Sequence, residues 1–284
     1  MRVVSTRIEL REWKRAHLKK GQSIGFVPTM GALHQGHLSL VEQALKENDF
    51  GACSIFVNPT QFNNPEDLEN YPRTMEEDLA MLESIGCHLV FAPPVTEMYP
   101  EGEDQSRYEV HYGHLETIME GQFRPGHFRG VGLIVGKLFD LIEPQRAYFG
   151  EKDYQQLLVV RKLVDTLHQP VEVIGCPIVR ESDGLAMSSR NLRLNTQQRD
   201  KADFIYQSLR KAKNHLVGST VSETEALVKE HFTSQQDFEL EYFIIADANS
   251  LETPDSDHPK SPLVGCISAF AGPVRLIDNM ILFP

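Results

Sequence analysis

Short apolar runs alternate with amphipathic segments along the first part of the chain. The apolar runs predict buried strands at residues 23–27, 52–57, 88–92, 147–149 and 171–175. Between them, apolar positions three and four residues apart predict helices at 37–48, 74–85, 132–141 and 154–168. Strands that alternate with helices of this size predict a parallel sheet covered on both faces, and right-handed crossovers make it doubly wound. Such sheets bind ligands beyond the carboxyl ends of their strands.

One long segment breaks this alternation. Residues 93–130 are irregular in pattern and rich in glycine, proline and aromatic residues. Because a loop of this length inside a compact domain is usually functional, we expect a functional role for it.

The pattern changes after about residue 177. A long polar-faced helix is predicted at 196–216, with Thr196 as its cap, and a second helix at 222–232. Runs at 238–246, 263–271 and 274–277 predict the strands of a smaller antiparallel unit, and the acidic, proline-rich stretch 250–262 predicts an exposed loop. We therefore expect an α/β fold with a Rossmann-like doubly wound parallel sheet over residues 1–178 and a smaller C-terminal α+β domain over residues 179–284.

Composition and charge exclude several classes of protein. The formal net charge of −12 disfavours nucleic acid as a main partner. The four cysteines are far apart and form no C-x-x-C pair, so a zinc site or redox motif is unsupported. Residues 1–20 lack the apolar core of a signal peptide, and the longest apolar stretch, 131–142, is too short to span a membrane. A cytoplasmic location is expected.

The strongest candidate for chemistry is the segment 28–38, between a predicted strand and a predicted helix. Free N–H groups and the helix dipole at such a junction favour an anion. The glycines let the backbone approach a ligand, and the histidines can donate to phosphate oxygens. The residues in question are Met30, Gly31, Ala32, Leu33, His34, Gln35, Gly36 and His37. An H-x-G-H sequence in this context predicts a nucleotide phosphate site more readily than a surface turn.

Four further segments carry weaker signals. Asn58 and Gln61 follow the second strand, where an ordinary polar loop explains them equally well. Lys152 would supply a cation to a polyphosphate, although its acidic neighbours are also typical helix caps. The run 187–190 offers two hydroxyls and a guanidinium, and a polar linker explains it better when it is taken alone. The acids at 76–78 suit either magnesium or a solvated helix start.

Taken together, these segments resemble the pantoate–β-alanine ligase (pantothenate synthetase) family. The resemblance covers nearly the whole chain in the expected order. H-x-G-H alone marks the wider nucleotidyltransferase superfamily, whereas its combination with residues 150–153 and 188–190 is specific to this family. The matching segments are 28–37, 56–62, 71–74, 124–130, 149–156, 183–191 and 275–279.

The resemblance implies an ATP-dependent ligase of pantothenate (vitamin B5) and coenzyme A precursor biosynthesis. The pantoate carboxylate attacks the α-phosphorus of ATP, and the β-alanine amine then attacks the pantoyl adenylate, releasing AMP after pyrophosphate. It also implies a homodimer, and a C-terminal domain that closes over the site. Small molecules, rather than nucleic acid or a membrane, are the expected partners.

The resemblance also assigns roles to single residues. His37 matches the proton donor, with His34, Lys152 and Arg190 as the other catalytic residues. Gln61 and Gln156 match the pantoate ligands, while Gln61, Asn58 and His127 border the β-alanine site. ATP would contact Met30, Gly31, Ala32, Leu33, His34, Gln35, Gly36, His37, Gly150, Glu151, Lys152, Asp153, Val179, Met187, Ser188, Ser189 and Arg190.

The family usually uses Mg²⁺, and Asp78 or its neighbour Glu77 would be its ligand. Three alternatives stay open on the residues alone: another adenylyl- or cytidylyltransferase, a tRNA-charging relative and a non-catalytic nucleotide sensor. The first has no need for both Gln61 and Gln156. The second fits poorly with the negative net charge. The third is disfavoured because Lys152 and Arg190 are both present.

Overall fold

A computed structural model describes residues 1–63, 65–254 and 261–283, apart from the side chain of Asp67. It divides into two compact units. The first comprises Met1–Glu151 and Gln155–Pro177, and the second comprises Lys152–Tyr154 and Ile178–Pro284. Residues 255–260 of the predicted acidic loop lie outside the described residues. No helix in the described ranges is long and apolar enough to cross a membrane.

A parallel sheet forms the centre of the first unit, as the strand pattern predicts. Its order is β1-β4-β3-β2-β5-β6, and every paired strand runs parallel to its neighbour. The middle strands are buried on both faces, which accounts for their continuous apolar character. The strands are β1 Arg2–Val4, β2 Ile24–Thr29, β3 Phe50–Ile55, β4 Leu89–Phe91, β5 Arg146–Gly150 and β6 Glu172–Cys176.

Helices connect these strands. The α-helices are α1 Arg7–His17, α2 Gln35–Glu47, α3 Pro65–Glu69, α4 Met75–Ser84, α5 Val95–Met98, α6 Met119–Phe123, α7 His127–Ile142 and α8 Tyr154–Leu167. Single 3-10 turns are formed by Pro59–Gln61, Ser106–Tyr108, Gly113–Glu116 and Glu151–Asp153. The pattern did not predict α1, because it buries only Leu10 and Trp13 on one narrow face. A capping box between Thr6 and Glu9 begins this helix.

The segment 93–130 is more regular than its composition predicts. It contains α5, two 3-10 turns, α6 and the first turn of α7. Glu103 anchors it by an ion pair with Arg7 at 2.7 Å and another with Lys137, whose side chain is 3% exposed. Glycines on α7 permit a close approach, since a β-carbon on Gly130 would collide with the Thr60 carbonyl oxygen. The irregular sequence therefore folds by packing against its neighbours rather than by local periodicity.

The second unit packs helices against a three-stranded antiparallel sheet of order β7-β8-β9. The predicted single helix at 196–216 is wrong: Asn195 caps a short first helix through a capping box with Gln198. Lys201 then leaves helical geometry (φ −112°, ψ 1°), and Ala202 is fully buried between the two helices. The elements are the 3-10 turn Ser189–Arg193, α9 Thr196–Asp200, α10 Asp203–Leu216, α11 Val221–Thr233, β7 Glu239–Asp247, β8 Leu263–Ala271 and β9 Val274–Phe283.

Candidate active site

The turn that follows β2 lies at the carboxyl edge of the sheet. β2 pairs with β3 on one side and with β5 on the other, so the turn is placed where the strand order reverses. Thr29 ends the strand, and its hydroxyl donates to the Ser54 carbonyl at 2.7 Å and accepts the Gly31 N–H at 3.2 Å. Gly31 (φ +84°) and Ala32 (φ +50°) then take left-handed conformations, which reverse the chain before α2.

A buried carboxylate from α4 braces this turn. Asp78 is 1% exposed, and its two oxygens accept the N–H groups of Ala32 at 3.0 Å and Leu33 at 2.7 Å. Thr74, the N-terminal cap residue of α4, donates to the same carboxylate at 3.2 Å. A β-carbon on Gly31 would lie 2.9 Å from this carboxylate. The two charge-assisted bonds offset the strain of a left-handed alanine, about 1–3 kcal/mol.

The two histidines of the motif face each other at the start of α2. His34 is the N-terminal cap, and its Nδ1 accepts the Gly36 N–H at 3.1 Å. In a neutral His34 ring the proton then sits on Nε2, where it can be donated to an anion. The His34 and His37 ring centroids are 4.1 Å apart, and Gln35 between them is exposed. The pair lies at the positive end of the helix dipole, which favours a phosphate.

A second polar group lies in the 3-10 turn after β3. Asn58 is 1% exposed and Gln61 is 8% exposed. The Asn58 amide donates to the Gln61 Oε1 and to the Gly130 carbonyl, both at 3.1 Å. Because the Gln61 oxygen accepts this bond, its Nε2 turns the other way, and one of its two N–H groups donates to the Met30 sulfur at 3.0 Å. Gln61 thus presents a fixed donor beside the turn that follows β2.

Tyr99 completes this amide network. Its hydroxyl donates to the Asn58 Oδ1 at 2.6 Å, and the Thr60 hydroxyl donates to the same oxygen at 3.1 Å. Burial raises the pKa of Tyr99 to about 12, which keeps the phenol protonated as a donor. The Asn58 amide therefore contacts protein groups through both its oxygen and its nitrogen, and its predicted place at the β-alanine site stays a prediction. The only sequence signal for Tyr99 is its place in the segment 93–130.

His127 supports the same glutamine from the start of α7. It is 5% exposed, with its Nδ1 2.9 Å from the Gln61 carbonyl oxygen and its Nε2 3.1 Å from an Arg124 guanidinium nitrogen. Since the guanidinium can only donate, Nε2 accepts and Nδ1 carries the proton. His127 therefore holds the backbone of Gln61, while Asn58 holds its side chain.

Two adjacent glutamines on α8 have different surroundings. Gln155 is 5% exposed, accepts the Glu120 N–H at 3.0 Å and donates to the carbonyls of Leu115 and Ile118 at 2.9 and 3.0 Å. Its amide ties the segment 93–130 to α8. Gln156, the predicted pantoate ligand, is half-buried, and its amide makes no hydrogen bond within the described ranges. Of the two side chains, only Gln156 keeps its hydrogen-bonding groups available to a ligand.

The other predicted nucleotide contacts belong to the second unit, except Gly150 and Glu151, which end the first stretch of the first unit. The Val179 carbonyl accepts the Met187 N–H at 3.0 Å, which closes a hairpin. Ser188 caps the following 3-10 turn by accepting the Arg190 N–H at 3.3 Å. Lys152 is in the same unit, with its Nζ 3.6 Å from the Asp153 carboxylate and a side chain that is 16% exposed. The half-buried residues of this group are Glu151, Lys152, Val179, Met187, Ser188, Ser189 and Arg190, whereas Asp153 is exposed.

The predicted magnesium ligands do not form a cation site. Both oxygens of Asp78 already accept backbone N–H groups, and the neighbouring Glu77 is exposed. Across the described ranges, no group of three or more His, Cys, Asp or Glu residues could hold a metal ion. The acid that the resemblance assigns to the metal is therefore used to shape the backbone, and the residues present do not fit a direct protein ligand for Mg²⁺.

The H-x-G-H turn beside an oriented amide, on a parallel sheet, agrees with the comparison to known families. The family model described as pantoate-beta-alanine ligase matches residues 2–281. The chain belongs to this family. Pantoate–β-alanine ligases join pantoate to β-alanine to give pantothenate, so the chain is an enzyme, as the resemblance implied. The pantothenate synthetase of Bacteroides thetaiotaomicron is 49% identical over 280 residues, which cover 99% of this chain and 98% of that protein.

Solved ligase structures share the fold. The crystal structure of pantothenate synthetase from Thermus thermophilus has a TM-score of 0.91 and 46% identity, and each chain is covered completely. A pantoate-beta-alanine ligase from Francisella tularensis, complexed with beta-gamma ATP and beta-alanine, has a TM-score of 0.81 and 34% identity, with 99% of this chain and 98% of that chain covered. The predicted fold class, a parallel sheet followed by a smaller unit with an antiparallel sheet, is confirmed.

Proposed function

We propose that the chain condenses (R)-pantoate with β-alanine at the expense of ATP, through pantoyl adenylate, using the residues described above. The observation that carries this proposal is the 3.0 Å contact of the Gln61 Nε2 with Met30, which sets a fixed amide donor beside the H-x-G-H turn. A donor for the carboxylic acid next to a turn for the nucleotide brings the two reacting groups together, and positioning of this kind removes a large part of a reaction barrier.

In the first half-reaction, a pantoate carboxylate oxygen bonds to the α-phosphorus of ATP and the bond to the β-phosphate breaks. His34 and His37 donate to phosphate oxygens from the start of α2, where the helix dipole adds to their effect. Gln61 and Gln156 hold pantoate. Lys152 and Arg190 stabilise the negative charge that develops on the phosphates as pyrophosphate leaves. The remaining predicted ATP contacts keep their assignment by resemblance.

In the second half-reaction, the β-alanine amine bonds to the carbonyl carbon of the adenylate, AMP leaves and the nitrogen loses a proton. Gln61 borders this site as well. Asn58 and His127 act by holding the side chain and the backbone of Gln61, because their own polar atoms contact protein groups. The β-alanine site therefore depends on them without direct contact.

Mg²⁺ would enter with the nucleotide, bound to its phosphates, where it would reduce their negative charge. No residue of the chain is assigned as its ligand, since Asp78 is occupied by the backbone of the turn. We also propose that the chain is cytoplasmic and forms a homodimer, because the resemblance to the family implies both.

Isotope exchange between pyrophosphate and ATP tests the proposal. We expect exchange that requires pantoate and proceeds without β-alanine, followed by pantothenate once β-alanine is added. AMP release with other carboxylic acids, or no exchange with pantoate, would contradict it. Sedimentation at micromolar concentration tests the dimer separately.

A further inference from the structure

A buried ionic cluster in the second unit lies behind two predicted nucleotide-contacting segments and has no role in the reaction described so far. Its members are Arg180, Asp278 and Asn279. Asp278 and Asn279 interrupt the apolar pattern of β9, so the pattern predicts the end of the strand at residue 277. The structure continues β9 to Phe283, because the Asp278 carboxylate has a cation opposite it.

Arg180 uses all four N–H groups of its terminal nitrogens. It holds the Asp278 carboxylate with two bonds of 2.6 and 3.0 Å, and it donates to the carbonyls of Gly184 at 3.0 Å and Asn279 at 3.2 Å. Its guanidinium also stacks on the Tyr206 ring, 4.4 Å from the centroid. Four hydrogen bonds and one stacking contact restrict the Arg180 guanidinium to a single position. It is therefore a rigid support for the groups that it contacts.

One arm of the cluster reaches the Lys152 turn. The Asn279 Nδ2 donates to the Lys152 carbonyl at 2.9 Å, and the Asn279 N–H donates to the Asp278 carboxylate at 2.8 Å. Asp278 and Asn279 are 4% and 5% exposed, so these bonds are made away from water. The backbone of Lys152 is thereby tied to the guanidinium through two residues.

The other arm reaches the segment that carries Arg190. The Gly184 carbonyl, which Arg180 holds, lies at the turn of the hairpin whose return leg leads to Met187. Backbone pairing of Arg180 with Ala186 fixes that leg, and the Asn191 amide donates to the Ala186 carbonyl at 3.1 Å. The same guanidinium therefore supports both the turn of Lys152 and the start of the 3-10 turn Ser189–Arg193.

We propose that Arg180, Asp278 and Asn279 are positioning residues that hold Lys152 and the segment 187–190 in one fixed arrangement, so that both cations reach the nucleotide phosphates together. This inference rests on the proposed function. None of the three residues needs to touch a substrate. Their effect on catalysis passes through Lys152 and Arg190, and misplacement of a charge by about 1 Å can cost about a hundredfold in rate.

A double-mutant cycle between Asn279 and Lys152 tests the inference. Asn279→Ala removes the donor to the Lys152 carbonyl and keeps both backbone groups of β9. We expect kcat for pantothenate formation to fall about tenfold in the wild-type background, in line with the cost of misplaced catalytic groups. In the Lys152→Ala background the same substitution should change kcat less than about twofold, since coupled residues are not additive. A purely structural role would give equal losses in both backgrounds.

Gln198→Ala is the matched control. It removes another amide-to-carbonyl bond of the second unit, from Gln198 to Ala271 at 3.0 Å, together with the Gln198 half of the capping box of α9, and it should still leave kcat within about twofold of wild type. If Asn279→Ala fails to fold, Asn279→Asp keeps the volume and still removes the donor. Two outcomes would overturn this inference and leave the proposed function intact, provided that the wild-type protein makes pantothenate. The first is that the losses of kcat from Asn279→Ala and Lys152→Ala add up in the double variant, and the second is that Gln198→Ala is inactive. Wild-type protein that makes no pantothenate would instead overturn the proposed function.

Discussion

Asp78→Asn is the most informative single substitution, because it separates bracing of the H-x-G-H turn from metal binding. The asparagine keeps the shape of the side chain and one acceptor oxygen. Its NH₂ group must then face one of the two backbone N–H groups that the carboxylate now accepts, from Ala32 at 3.0 Å or Leu33 at 2.7 Å. At a residue that is 1% exposed, water cannot replace the lost bond.

The expected cost follows from these contacts. A hydrogen bond to a charged group contributes about 1.5–3 kcal/mol, and an unsatisfied buried N–H costs about 1–3 kcal/mol. We therefore expect Asp78→Asn to lower the free energy of unfolding of the first unit by about 2–3 kcal/mol. Asp78→Ala, which removes both bonds, should cost about 3–6 kcal/mol, a large share of the stability of an ordinary domain. The milder variant is the better probe.

Urea unfolding followed by tryptophan fluorescence measures this cost. Trp13 is the only tryptophan of the sequence and is buried in the first unit. Asp49→Asn is the matched control: that carboxylate also accepts a backbone N–H, from Ser23 at 2.8 Å, but at an exposed position, so its loss should cost less than about 1 kcal/mol.

The magnesium dependence of turnover supplies the second half of the test. If Asp78 acts through the turn, Asp78→Asn lowers kcat while the Mg²⁺ concentration that gives half-maximal rate stays within about twofold. Unchanged stability together with a requirement for Mg²⁺ raised about tenfold would refute the bracing role and restore Asp78 as a metal ligand.

Three further substitutions test other contacts. Asn58→Asp cannot donate to the Gln61 oxygen, so we expect the KM for pantoate to rise about tenfold or more, and steady-state kinetics with an unchanged KM would contradict the orienting role. His37→Ala should reduce pyrophosphate exchange by about 10²–10³-fold with an unchanged thermal melt, whereas near wild-type exchange would make the motif a simple turn. The hydrogen bond from Arg7 lowers the pKa of Glu103 to about 2, so its carboxylate stabilises the fold fully above the ordinary pKa of 4.5 and less as the pH falls towards 2. Urea unfolding of Glu103→Gln should therefore show a deficit at pH 7 that shrinks at about pH 3, and a constant deficit would mean that the charge is not involved.

Local sequence patterns predict most of the fold and the H-x-G-H turn of the candidate site. The strands at 24–29 and 50–55 and the helix of the H-x-G-H motif follow from apolar spacing and from glycines at a strand-to-helix junction, which need no distant partner. What the sequence did not predict depends on long-range pairing. Asp78 lies far along the chain from the turn that it braces, and an acid at a helix start has the same pattern whether it binds metal, water or a backbone.

The errors have similar causes. The predicted helix at 196–216 is interrupted because Ala202 packs into the core, although its helical propensity is high. The apolar pattern ends β9 too early because Asp278 is polar, and its partner Arg180 lies on a distant hairpin. Gln155 and Gln156 are identical in type and adjacent, and only the packing of α8 distinguishes the structural amide from the available one.

The fixed orientation of the Gln61 side-chain amide has a consequence for substrate selectivity. An unrestrained glutamine can rotate its amide and offer a ligand either its oxygen or its nitrogen. Gln61 has lost that choice, because its oxygen is held by Asn58, which is itself held by Tyr99. If Gln61 holds a substrate as proposed, the site distinguishes ligands by hydrogen-bond polarity: one Gln61 N–H faces the Met30 sulfur, and the other would pair with an acceptor oxygen of the ligand but not with a methyl or amino group. Sites of this kind reject such analogues far more strongly than apolar pockets of the same shape do.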